Sequence, residues 1–256
     1  MRMRVALLVP ALDEERALAR TAPVMAEAVA SGVVDTAVLL DGGSRDDTIA
    51  VARDHGVEVL DVAGFMSGLG PVLGKGDSLF RGVHAIDADA YVFLDADIGN
   101  VSVAHVAVLA ERIRAGDIGF VKGGFVRVDE HGVPREVPGG RVTEEVARPL
   151  LSTVSPVLAA LRQPLSGQVA VDAGFVRSVA MATGYGVEIA MVLDAWRLLG
   201  PEGMCEVDMG TVHNRWKPSE ALAEVRDQVL AGASLREVNL PGFGPVRHPS
   251  VVDRRA

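Results

Sequence analysis

The chain has 256 residues, 49% of them hydrophobic and only 4% aromatic, so one or two domains with a full core are expected, filled by Ala, Val and Leu as in an α/β protein whose strands are covered on both faces. Asp and Glu number 34 against 25 Lys and Arg, a net charge of −9; this argues against a general nucleic-acid binder and requires a local basic pocket or a metal for any anionic substrate. The single cysteine, Cys205, excludes an internal disulfide and a Cys-rich zinc site and fits a reducing cytoplasm.

Residues 5–9 are a short apolar run stopped by Pro10, which predicts a buried strand. The run leads into Asp13-Glu14-Glu15 without a small-residue cleavage pattern, so it does not read as a signal peptide. No apolar stretch approaches the ~20 residues of a membrane helix. Residues 13–30 predict a helix interrupted at Pro23. A strand at 37–40 ends in Asp41-Gly42-Gly43-Ser44, a helix at 48–55 is stopped by Gly56, and a strand follows at 57–60. Residues 64–76 read as a Gly-rich loop before a helix at 79–86. A strand at 91–94 ends at Asp95-Ala96-Asp97, a helix at 103–115 is closed by Gly116, and a strand at 118–128 is broken at Gly123-Gly124. Strands alternating with helices predict a parallel sheet with right-handed crossovers.

The pattern changes after residue 129. Residues 142–151 and 157–161 are helical around Ser155-Pro156, 163–174 is loop with a short strand, 188–199 a helix, 205–209 a strand and 218–230 a last helix. From Gly242 the chain reads as an extended tail or lid. No repeat or linker divides it, so residues 1–256 are expected to form one domain in two halves, 1–128 and 129–256.

Ligands of such sheets bind beyond the carboxyl ends of the strands, and the clusters at 10–15, 41–44, 74–76 and 95–97 all fall there. Asp95 and Asp97 present carboxylates at i and i+2, suited to a hard divalent cation that bridges them to a diphosphate; the plainer reading is a strand-end Asp capping a turn. Gly74-Lys75-Gly76 fails as a P-loop, because Leu69 and Gly76 stand where Gly and Ser or Thr are required. Lys75 is read as neutralising a phosphate or as a solvated loop lysine. No Gly-x-Gly-x-x-Gly follows the first strand, against a dehydrogenase. Glu188 opens an apolar helix at its positive end, where a carboxylate can bind sugar hydroxyls or simply stabilise the helix. Arg141, between Gly140 and a helix start at Val142-Thr143, combines a guanidinium with free N–H groups, an anion site unless it is an exposed loop arginine. His213 is a candidate ligand or an ordinary histidine.

These clusters, together with Gly140-Arg141-Val142-Thr143, Pro149-Leu150-Leu151, Gln163-Pro164-Leu165-Ser166-Gly167 and Thr183-Gly184-Tyr185-Gly186-Val187-Glu188, resemble the glucosyl-3-phosphoglycerate synthase family of retaining GT-A glycosyltransferases over about residues 5–218. The resemblance implies a GT-A fold: a Rossmann-like, mostly parallel sheet flanked by helices, with an acceptor-binding C-terminal half. It implies a UDP-glucose donor, an anionic acceptor such as 3-phosphoglycerate, Mg²⁺ or Mn²⁺, a homodimer and no membrane or nucleic-acid partner. It places Pro10, Ala11, Leu12 and Glu15 around the uridine, Asp41 and Gly42 at the base, and Lys75 near uracil and ribose. Asp95, Ala96 and Asp97 form the acidic segment, with Asp97 and His213 on the metal and Asp95 closer to ribose and sugar. Leu165, Tyr185 and Glu188 form the sugar pocket; Gly140, Arg141, Val142, Thr143 and Asn214 hold the acceptor. Glu188, Asp95 and Arg141 are the implied catalytic set. The chain departs from the family at Asp13, Gly42 and Thr211, where Asn, a small polar residue and a basic residue are expected.

The sequence offers no well-supported carboxylate nucleophile, so front-face attack by the acceptor hydroxyl is the economical route. Four rivals are weighed. A relative of the same fold would serve a GDP-sugar or another acceptor. A nucleotidyltransferase needs a Gly-rich signature after the first strand, where Leu12-Asp13-Glu14-Glu15 stands. A non-catalytic binder need not keep Asp95, Asp97 and Glu188. An inverting transferase needs an acceptor-side carboxylate base.

Overall fold

The computed structural model describes residues 2–213, 219–242 and 244–255. Its strands are β1 (Val5–Ala11), β2 (Thr36–Asp41), β3 (Glu58–Asp61), β4 (Ala90–Phe93), β5 (Phe120–Val128), β6 (Val169–Asp172), β7 (Met181–Ala182), β8 (Met204–His213) and β9 (Asp253–Arg254). The helices are α1 (Glu15–Ala30), α2 (Thr48–Asp54), α3 (Gly74–Ala85), α4 (Val103–Arg114), α5 (Arg148–Ser152), α6 (Pro156–Ala159), α7 (Ala173–Ser178), α8 (Gly186–Leu199) and α9 (Ser219–Ser234). A seven-stranded sheet runs β3-β2-β1-β4-β6-β5-β8.

Every pairing in this sheet is parallel except those of β6, which runs antiparallel to both β4 and β5. The sheet is thus mostly parallel, as the GT-A resemblance implies, with β6 its one reversed strand among the described residues. A short apolar run reveals that it is buried, not which way it points. Successive strand residues face opposite layers. Leu8, Leu40, Tyr91 and Phe93 pack with residues of α3, α7 and α8, and Leu7, Val9, Leu39 and Val92 with residues of α1 and α4. Among the described residues no helix is long and apolar enough to cross a membrane.

Four expectations change. Pro23 lies inside an unbroken α1; it and Ala19, whose carbonyl loses its donor, are both exposed, so water replaces the missing hydrogen bond. Helix α3 starts at Gly74, which puts Lys75 in its first turn instead of a loop, and Asp77 Oδ2 caps that turn by accepting from Leu73 N–H at 2.9 Å. Strand β5 is continuous through Gly123-Gly124; the irregularity is a bulge, with Gly124 opposite Asp208 but Val126 opposite Thr211. The extra residue belongs to β8, where Gly210 takes φ +72° and lets the strand run on to His213. The C-terminal segment is fixed in place: β9 pairs with β7, Thr183 N–H donates to Val252 O at 2.9 Å, and Arg254 pairs with buried Asp77 at 3.0 Å.

Candidate active site

Beyond the carboxyl ends of β1, β2 and β4 lies a cavity of about 950 Å³, at the upper end of the roughly 300–1,000 Å³ usual for small-molecule sites. The first half of the chain supplies Pro10, Ala11, Leu12, Gly42, Lys75, Asp95, Ala96 and Asp97 to its wall. The second half supplies Gly140, Arg141, Val142, Thr143, Leu165, Tyr185 and Glu188. Segments from Pro10 to Glu188 thus converge on one space.

Three candidates among the described residues stand apart. The Glu15 carboxylate accepts from Asp47 N–H at 3.3 Å, tying the start of α1 to the loop before α2. Asp41 is buried, and its carboxylate accepts from Gly43 and Ser44 N–H at 3.0 and 3.2 Å, so it shapes the turn that presents Gly42. His213 does not line the cavity, but its ring packs on the loop behind Asp97: a Cβ on Gly99 would stand 2.3 Å from His213 Nδ1, and Gly99 N–H donates to His213 O at 2.8 Å. Asn214 lies outside the described residues.

At the floor, Lys75 Nζ joins two carboxylates. It pairs with Asp95 Oδ1 and, at 2.7 Å, with Glu188 Oε1 in the first turn of α8. Burial alone lowers the pKa of this ammonium, but the attraction of Asp95 and Glu188 outweighs it and the net shift is upward. Asp95 Oδ2 also accepts from Gly167 N–H at 3.3 Å and Gln168 Nε2 at 2.9 Å. The glycines around Lys75 serve packing: a Cβ on Gly76 would stand 2.0 Å from Ala182 O, and Gly76 N–H donates to Gly184 O at 3.1 Å. Gly167 faces the pair itself, its Cβ position 2.2 Å from Lys75 Nζ and 2.3 Å from Asp95 Oδ1.

Sequence reasoning passed over several residues here. Lys122 is buried on β5 and donates to Ser166 O; burial, reinforced by the charge on Lys75, pulls its pKa down to about 7 against the partial opposition of Glu188 and Asp95. Arg127, farther along β5, lines the cavity beside Gly140, and its Nε donates to Gln163 Oε1 at 3.0 Å. A charge inside Phe120-Val121-Lys122, an otherwise apolar buried run, was the available signal.

Asp97 and His213, a carboxylate and an imidazole brought to one loop, suit Mn²⁺ or Mg²⁺ as donors. Among the described residues no group of three His, Cys, Asp or Glu gathers to hold a metal, so other coordination positions would fall to ligand oxygens.

No protein-family model matches the chain. The glucosyl-3-phosphoglycerate synthase of Mycolicibacterium paratuberculosis is 34% identical over 245 residues, covering 94% of this chain and 74% of that protein. The chain belongs to the glucosyl-3-phosphoglycerate synthase family. The family is one of glucosyltransferases, and the fold agrees. The synthase of Mycobacterium tuberculosis in complex with Mn²⁺, UDP and phosphoglyceric acid superposes with a TM-score of 0.85 at 31% identity, covering 99% of this chain and 89% of that one. Its complex with Mn²⁺, UDP-glucose and glycerol 3-phosphate gives a TM-score of 0.82 at 30% identity, over 99% and 87% of the two chains. This glucosyl-3-phosphoglycerate synthase fold, with a divalent metal in the solved relatives, meets the expectations of a GT-A architecture and a metal cofactor.

Proposed function

We propose that this chain transfers glucose from UDP-glucose to the hydroxyl of 3-phosphoglycerate with retention at the anomeric carbon, in the presence of Mg²⁺ or Mn²⁺. The observation that carries the reading is the division of one cavity: Asp95, Asp97, Glu188 and Lys75 on one side, Arg141 with Gly140, Val142 and Thr143 on the other. The ligands of the Mycobacterium tuberculosis synthase support the choice of donor and acceptor.

On the donor side, the strand ends that carry Pro10 and Ala11 receive the uridine, and Leu12, 56% exposed at the rim, offers an apolar face to the base. Asp97 and His213 would hold the metal, which neutralises charge on the departing diphosphate when bound. Glu188 and Asp95, both paired with Lys75, accept hydrogen bonds from sugar hydroxyls. On the acceptor side, Arg141 is the local positive charge that an anionic substrate needs against a net charge of −9.

The acceptor oxygen bonds to the anomeric carbon on the face from which the diphosphate oxygen leaves, and the hydroxyl proton passes to that leaving oxygen. Support for this front-face route lies in the two carboxylates at the cavity floor, Asp95 and Glu188. Each is engaged with the Lys75 ammonium, and Asp95 accepts two further N–H groups, which blunts both as nucleophiles. The test is direct: with UDP-glucose, 3-phosphoglycerate and Mg²⁺ or Mn²⁺ the protein should release UDP and form a glucosylated phosphoglycerate. UDP release without sugar transfer to that acceptor would sink the assignment.

A further inference from the structure

Arg127 pairs with no acid among the described residues. Its Nε donates to Gln163 Oε1, and among the described residues no carboxylate forms an ion pair or hydrogen bond with its guanidinium. Burial lowers its pKa, opposed by Asp95 and Asp97 at longer range. A guanidinium partly withdrawn from water without a counter-charge is costly, and among the described residues only the Nε edge of this cavity-lining arginine is engaged.

Its anchoring belongs to the acceptor side. A Cβ on Gly140 would stand 3.7 Å from Arg127 Cζ, so the guanidinium lies against the residue that precedes Arg141. Gln163, itself buried, donates from Nε2 to Phe125 O at 3.2 Å and to Pro138 O at 2.7 Å, which leaves only Oε1 to orient Arg127. One amide thus fixes the end of β5, the loop before Gly139 and the arginine in a single frame. Phe125 adds its ring, 5.8 Å from the guanidinium carbon.

We propose that Arg127 binds the carboxylate of the acceptor, so that Arg127 and Arg141 grip the two anionic ends of one small molecule. The proposal rests on the transfer reaction proposed above. With Nε engaged, Arg127 presents its Nη1/Nη2 fork, whose planar spacing matches the two oxygens of a carboxylate. Arg141, with the backbone N–H groups of Val142 and Thr143 beside it, takes the phosphate. Arg127 is then a specificity residue: it makes a phosphorylated glycerate a better acceptor than a phosphorylated glycerol.

The experiment compares 3-phosphoglycerate with glycerol 3-phosphate, which keeps the phosphate and lacks the carboxylate. In Arg127→Met, kcat/KM for 3-phosphoglycerate should fall about 10- to 150-fold, the usual worth of a hydrogen bond to a charged group. Glycerol 3-phosphate should change less than about threefold on the same scale, and UDP affinity by calorimetry should be unchanged. Equal losses for both acceptors would overturn the proposal, as would a loss of UDP affinity, which would assign Arg127 to the diphosphate. If Arg127→Met is not recovered folded, Arg127→Lys decides: it keeps the charge but not the fork, so the preference for 3-phosphoglycerate must shrink, and an unchanged preference refutes the idea. Failure of the transfer reading shows elsewhere, in wild-type protein that glucosylates neither acceptor, and that result overturns both.

Discussion

Lys75 and Glu188 stand 113 positions apart, yet Lys75 Nζ lies 2.7 Å from Glu188 Oε1. The contact joins the first turn of α3 to the first turn of α8 and so couples the two halves of the chain at the cavity floor. Asp95, at the end of β4, closes the group from the other side. Two carboxylates share one ammonium, and one of them, Asp95, is two residues from Asp97.

Two glycines near this cluster should respond oppositely to the same substitution. Gly76→Ala drives a Cβ to 2.0 Å from the backbone oxygen of Ala182, which cannot swing away, so α3 must part from the 182–184 segment. Overpacking of this kind costs typically 1–3 kcal/mol, and urea denaturation should show it. Gly167→Ala meets the mobile end of Lys75 and the Asp95 carboxylate. The fold survives by displacing the ammonium, while turnover falls at least about tenfold, about 1.4 kcal/mol. Full activity in Gly167→Ala would show that the Lys75–Asp95 geometry does not matter to catalysis.

The strands and acidic ends were the legible part of this chain. Apolar runs stopped by Pro10, Asp41 and Asp95 mark buried strands and their loops, and the sheet rule then gathers those loops at one edge. The direction of β6 was not legible, because burial carries no polarity. The reach of β8 to His213 was hidden by Gly210, which reads as a stop and acts as a bulge. Lys75 was misplaced because glycines on both sides suggest a loop; they are there for close packing against Ala182 and Gly184. Arg127 and Gln163 carry no pattern in one dimension, since their relation exists only once β5 and the 163–168 segment are side by side.

Lys122 gives a pH signature. Its pKa falls from the ordinary 10.5 to about 7 in the folded chain because burial penalises the ammonium. Between those pH values the unfolded chain holds a proton that the folded chain has lost, so folding stability rises with pH across this window. Below about pH 7 both states hold the proton and the penalty is fully present. The effect is on the order of a few kcal/mol, at about 1.4 kcal/mol per pH unit. From pH 7 to 10 the urea midpoint of wild type should rise relative to that of Lys122→Met; parallel curves contradict the burial argument.

Metal removal should silence the enzyme. EDTA should bring turnover to background, with Mg²⁺ or Mn²⁺ restoring it. His213→Ala should raise the metal concentration for half-maximal rate by more than the roughly 10- to 100-fold that loss of an outer partner costs. An unchanged metal requirement in that variant would leave His213 as a packing residue against Gly99.

Arg141→Ala should weaken use of both 3-phosphoglycerate and glycerol 3-phosphate by about 10- to 150-fold in kcat/KM, since each carries the phosphate. UDP affinity should hardly move. Collapse of UDP binding with intact acceptor kinetics would place Arg141 on the diphosphate.

Attack on the face the diphosphate leaves gives retention, and the anomeric configuration of the product reports it. The reaction is run with UDP-glucose, whose glucose is α-linked, and with 3-phosphoglycerate, and the fresh product is read by the proton coupling at the anomeric carbon. An α-glucoside is the expected product. A β-glucoside would require back-side attack and a carboxylate base on the acceptor wall, and it would contradict front-face transfer over a floor of Lys75, Asp95 and Glu188.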